Sequence, residues 1–192
     1  MLKYPAVLGT ATAPSGVFIG DSHADLRHLV QLTASISELI NMGINVLFVE
    51  AFYADAPPVS TDVASLGSYI SDRNFNHFDP KERPVGHREV AIAYHALLQR
   101  CRRANLPVVG IDAAMPDDFL AGSLGFMRKI RWRTGGVNTE WKQNIVAACT
   151  KNKWTSFALF GGQAHAEAQK KNFGGRLSTN IWKCEHKRYI EL

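Results

Sequence analysis

Hydrophobic positions along the chain come in two textures. Short continuous apolar runs, GVFIG (Gly16 to Gly20), INVLFVE (Ile44 to Glu50), PVVGIDA (Pro107 to Ala113) and TSFALFGG (Thr155 to Gly162), are of strand length and bounded by turn residues. Apolar runs without alternation fit strands buried on both faces. Between them lie stretches of helical period. ADLRHLVQLTASISELINMG (24–43) carries Leu26, Leu29, Val30, Ile36, Leu39 and Ile40 on one stripe and closes at Gly43. HREVAIAYHALLQRCRRAN (87–105) does the same with Val90, Ala93, Tyr94, Leu97, Leu98 and Cys101. TEWKQNIVAACTKN (139–152) predicts another helix after the TGGVN break, and residues 116–133 are expected to be helical in part.

Strands alternating with helices predict an α/β fold, a mostly parallel central sheet flanked by helices on both faces, because parallel neighbours need crossover connections. The last stretch, LSTNIWKCEHKRYIEL (177–192), alternates enough for a terminal strand or hairpin, and is expected as an antiparallel strand at the sheet edge. Residues 51–86 begin turn-rich, with Pro57 and Pro58 excluding regular helix, and show no period. They read as an irregular excursion over the active face. All 192 residues fit one α/β domain.

Composition alters this picture little. Hydrophobic residues make up 46% and charged residues 20%, which excludes long disordered stretches. The formal charge of +5 would favour an acidic partner surface, a phosphate or an anionic membrane. It is too dispersed to mark a specific nucleic-acid binder, and its densest stretch, MRKIRWR (127–133), reads as a solvated helix face. Cys101, Cys149 and Cys184 are odd in number and form no CxxC pair, so neither a disulfide framework nor a cysteine zinc site is indicated. A reducing, cytoplasmic folding environment is expected. No apolar run approaches the ~18 residues of a transmembrane segment, and the first residues lack the order of a signal peptide. Export by a signal-independent route stays open.

The chemistry gathers where the strands stop. Four of them run into Asp21 and His23, Glu50, Asp112 and His165. In parallel sheets the carboxyl ends of the strands border the ligand crevice, so these groups are expected to converge there. An imidazole titrates near neutral pH and can take a proton from water when a carboxylate holds its tautomer, which amounts to hydrolysis by activated water. The same three groups, His23, Glu50 and His165, could instead hold a single divalent metal ion, and the residues leave both options open. Plainer readings stand beside these. His23 could cap a helix with Ser22 and Asp25, Glu50 could belong to a structural ion pair, and Asp112 could be a turn residue supporting the site from behind. His28, His95 and His186 read as ordinary helix or strand positions, while His77 and His87 flank the excursion. The chain has no GxxxxGKS, HExxH, GxSxG or GxGxxG motif, and the HAE at 165–167 lacks the PCxxC of zinc deaminases.

GDSH (20–23) and GQAH (162–165), each a G-x-x-H after a strand, bracket the Val49–Glu50 pair. This arrangement resembles the Tiki, TraB, ChaN and erythromycin-esterase superfamily, and within it the version found in large secreted bacterial toxins, including a Ras-cleaving endopeptidase domain. The resemblance covers about Gly16 to Glu167 and implies a catalytic set of Asp21, His23, Glu50 and His165. It departs from the toxin pattern in having Asp, with its shorter reach, at position 21. Arg131, Arg133 and Asn138 could anchor a substrate anion or carbonyl, as the resemblance implies for an arginine in a comparable place, although surface solvation is the safer reading. The function it implies is a peptidase-like or esterase-like effector domain acting on a protein or small-molecule substrate, either without a cofactor or with one divalent metal ion. A haem- or metal-binding ChaN-like protein and a catalytically degenerate interaction module are the alternatives.

Overall fold

The computed structural model describes residues 9–21, 26–54, 87–113 and 132–181. His23, Arg131, Cys184, His77 and His186 lie outside the described residues, as do the remainder of the excursion (55–86) and most of the segment expected to be partly helical.

Five strands, β1 (Ser15–Asp21), β2 (Val46–Tyr53), β3 (Val108–Asp112), β4 (Ser156–Gly162) and β5 (Leu177–Ile181), form one parallel sheet in the order β3-β2-β4-β1-β5. The helices are α1 (Arg27–Ala34), α2 (Ile36–Asn41), α3 (His87–Arg103), α4 (Val137–Asn152) and α5 (Ala166–Phe173). A single π turn, Trp132–Gly136, leads into α4.

Strand side chains alternate between faces, so each strand feeds two cores. Val17 and Ile19 of β1, Leu47 and Val49 of β2, and Ala158 and Phe160 of β4 pack with Leu29, Leu32, Ile36, Leu39, Leu97 and Cys101 from α1, α2 and α3. Their neighbours Phe18, Phe48, Phe157 and Leu159 pack on the other face with Trp141, Ile145 and Cys149 of α4 and Phe173 of α5. Burial on both faces is why these strands read as continuous apolar runs.

Three expectations need correction. First, β5 lies at the sheet edge but runs parallel to β1, with Gly16 beside Leu177 and Gly20 beside Ile181. Helix α5 carries the chain back across the sheet before β5 begins, and such a crossover makes the next strand parallel. Second, the stretch expected as one helix over 24–43 is two, broken at Ser35, whose N–H is shared between the carbonyls of Gln31 and Leu32. Gly43, at φ +83°, then turns the chain toward β2. Third, β2 continues through Ala51 and Phe52 to Tyr53, so the excursion starts later than residue 51. Glu50 is therefore inside β2. It sits just past Val49, the last residue paired with β4, where the pairing with β3 also shifts register.

Candidate active site

Strand parity sends the two acids to opposite faces. Glu50 continues the Val46–Phe48 side, toward α4 and α5, and Asp21 continues the Val17–Ile19 side, toward α1 and α3. Both carboxylates are buried at 6% exposure, and each meets an imidazole.

On the α4–α5 face, Glu50 Oε2 accepts the Gly162 N–H at 2.5 Å. Its other oxygen, Oε1, stands 3.7 Å from His165 Nε2, beyond hydrogen-bond length but within ion-pair distance. His165 is placed by the short 3₁₀ turn Gln163–His165 between β4 and α5. Its ring lies 4.5 Å from the Trp141 ring, tilted at 45°. Trp141 Nε1 in turn donates to Asp112 Oδ1 at 3.3 Å. The close approach of β4 to Glu50 depends on Gly161, where a Cβ would meet Glu50 Oε2 at 3.0 Å and Glu50 Cβ at 3.3 Å.

Behind the imidazole, Asn138 is buried in the first turn of α4, and its Oδ1 is 3.0 Å from His165 Nδ1. Gln169 Nε2 donates to the Asn138 carbonyl at 3.0 Å and to Asn138 Oδ1 at 3.1 Å, while Asn172 Nδ2 donates to the same carbonyl at 3.0 Å. His165, Gln169 and Asn172 are four and three residues apart, which stacks them on one side of α5 and its entry turn. The Asn138 side chain is thus engaged behind the histidine. The side chain of Arg133 is outside what the structure describes.

On the α1–α3 face, Asp21 Oδ1 is 3.4 Å from His28 Nδ1, with the two side chains 8% and 4% exposed. His28 therefore differs from the ordinary helix position expected of it. The signal was in the pattern, because His28 stands four residues before the buried Leu32 on the apolar stripe of α1. Tyr94 of α3 is buried here too, in T-shaped contact with Phe52 at 5.4 Å. Burial pushes its phenol well above the ordinary value of 10.0, and the charges of Asp21 and Glu50 push it further. Tyr94 thus lies within electrostatic reach of both carboxylates and keeps its proton. Gln169 and Tyr94 are the other groups that sequence reasoning left out of the site. A polar i, i+4, i+7 series, HAEAQKKN, was the available clue to the first.

Among the described residues no three His, Cys, Asp or Glu side chains come together as a metal ion needs. Glu50 and His165 supply two such donors, and the third ligand expected, His23, lies outside the described residues. No described helix is long and apolar enough to cross a membrane.

The fold and this geometry define a parallel α/β protein with two carboxylate–imidazole pairs at the carboxyl edge of its sheet, Asp21–His28 buried on one face and Glu50–His165 partly buried on the other. No protein-family profile matches the sequence, and no curated protein matches it. Its structure is similar to that of the type III effector HopBA1, with a TM-score of 0.59 and 21% identity over 81% of this chain and 69% of that one. A weaker likeness, TM-score 0.41 and 19% identity, is to RRSP, a MARTX toxin effector domain from Vibrio vulnificus CMCP6, over 77% of this chain and 27% of that one. At such identity the first likeness shows a shared fold.

Proposed function

We propose that the protein is a hydrolase of the peptidase or esterase class, acting as an effector domain. The observation that carries the reading is the Glu50–His165 pair, two proton-accepting groups 3.7 Å apart at the end of the sheet, one of them backed by Asn138. A water held against His165 Nε2 and Glu50 Oε1 gives its proton to the imidazole as it attacks a carbonyl. The imidazolium then returns that proton to the leaving group. Glu50 stabilises the imidazolium between these steps, and the Gly162 N–H keeps its carboxylate in place. His23 polarises the carbonyl or the leaving group, with Asp21 supporting it from the α1–α3 side of the sheet edge, and Arg133 anchors the substrate. Asn138 serves His165 in this reading in place of the substrate. The fold shared with a type III effector supports the effector part.

The test is to treat a proteome with the purified protein, map newly formed peptide N-termini, and assay a panel of p-nitrophenyl esters in parallel. His165→Ala or Glu50→Gln is expected to lower the rate about 10²- to 10⁴-fold while the melting temperature shows a folded protein. Undiminished turnover in folded variants overturns the reading. So does a purified protein that cleaves neither class but carries stoichiometric metal or a haem absorption band, which would place it among binding proteins.

A further inference from the structure

The hydrogen bonds behind His165 can be read in only one direction. An amide side chain presents oxygen and nitrogen at nearly equivalent positions, and an imidazole has two tautomers, so such a chain is usually ambiguous. Here it begins at a group with a single role. The backbone carbonyl of Asn138 only accepts, so the end of Gln169 lying 3.0 Å from it is the donor, Nε2. That same Nε2 is 3.1 Å from the Asn138 side chain, which must therefore turn its acceptor, Oδ1, toward it. Oδ1 is also 3.0 Å from His165 Nδ1, so Nδ1 must carry a hydrogen. In the neutral ring Nε2 then holds a lone pair facing Glu50.

We propose that Gln169 is a positioning residue that sets the tautomer of His165, presenting Nε2 as the proton acceptor of the site. A free neutral imidazole favours the opposite tautomer, with hydrogen on Nε2, so the protein must impose this one. The orientation has a cost. Gln169 is fully buried, and its Oε1 has no hydrogen-bond partner among the described residues. A role confined to packing would be served by an apolar side chain of that length, whereas an amide held by one end fits a donor required at that end. Only what Nε2 does next rests on the hydrolase reading.

The experiment is long-range ¹H–¹⁵N correlation NMR of the full chain with ¹⁵N-labelled histidine, with His165 assigned by His165→Gln. Spectra are compared for the wild type, Gln169→Met and Gln169→Leu. The wild type is expected to show His165 protonated at Nδ1 with Nε2 bare. Gln169→Met keeps the length but removes the donor. Asn172 still serves the Asn138 carbonyl, so the fold is expected to persist while the Asn138 side-chain oxygen loses the Gln169 donor that holds it toward His165. The Nε2–H tautomer should then become populated, and hydrolysis should fall on the order of tenfold. Gln169→Leu, which also lacks a donor and is close to glutamine in volume, gives the same outcome if methionine disturbs the packing. A wild-type His165 protonated at Nε2 overturns the proposal, as does a tautomer unmoved in both folded variants. The expected tautomer in a protein without hydrolytic activity would leave this inference standing and remove the proposed function alone.

Discussion

His28 illustrates how a single side chain can be read in two ways. On α1 it occupies a stripe position that leucine would fill, yet its Nδ1 faces the Asp21 carboxylate at 3.4 Å in a nearly water-free place. A leucine there would pack acceptably but would take away the imidazole that stands at ion-pair distance from a buried carboxylate, and a buried charge that loses a partner costs stability. His28→Leu is therefore expected to destabilise the protein by about 1–3 kcal/mol. His28→Asn, which keeps an N–H near the Nδ1 position, should lose less. Urea denaturation of the three proteins checks the order, and equal stability of the leucine variant would mean that the pair contributes nothing. Asp21 was legible in the sequence because it terminates an apolar run. Its partner was not, because one histidine on a helical stripe looks the same whether it packs against carbon or against a carboxylate.

At the scale of elements, the strands were the easiest to read and their ends the hardest. Burial on both faces leaves an uninterrupted apolar run, and all four expected runs are strands. The direction of β5 could not be read, because alternation over LSTNI is the same up or down the sheet. Direction comes from α5, whose eight residues return the chain across the sheet. The break at Ser35 was equally hidden, since the apolar period runs through it. Glu50 was noticed as the acid ending a run, but its real setting is the place where β2 parts from β4. That setting depends on the two glycines that end β4. An alanine at Gly161 would bring its Cβ to 3.0 Å from Glu50 Oε2 and 3.4 Å from Trp141 Cζ3. The carboxylate has little room to yield, because Gly162 holds that oxygen and the Glu50 Cβ is fixed to its strand. Gly161→Ala is expected to cost about 1–3 kcal/mol and to displace Glu50 from His165, so hydrolysis should fall further than the melting temperature suggests. A variant with wild-type activity would show that the glycine serves the backbone alone.

For the whole molecule, the sheet divides the interior into two cores, and among the described residues each contains one buried thiol. Cys101 lies among the residues packed under α1–α3, and Cys149 among those under α4 and α5. Burial pushes Cys101 from the ordinary 9.0 to about 12, with Arg100 opposing part of the rise, and pushes Cys149 to about 11. A thiol whose value is raised by folding is neutral in the native protein at a pH where the unfolded chain has already ionised. Its contribution to stability is complete below the unfolded value of 9.0 and is lost as pH climbs through about 11 for Cys149 and about 12 for Cys101. Within that window each thiol should lower stability by at most about 1.4 kcal/mol per pH unit. Tyr94, raised above 10.0, steepens the fall in the same direction. Urea midpoints measured from neutral pH to about pH 10 should therefore hold level and then drop once the unfolded thiols ionise. Cys149→Ala should remove one thiol's share of the slope. The two thiols also report whether the faces unfold together. In a Cys184→Ser background, variants retaining Cys101 alone or Cys149 alone should become reactive to a thiol reagent over the same range of urea, because both cores share strands β1, β2 and β4 and neither survives without them. Labelling of one thiol at a clearly lower urea concentration would show that its helices leave the sheet separately.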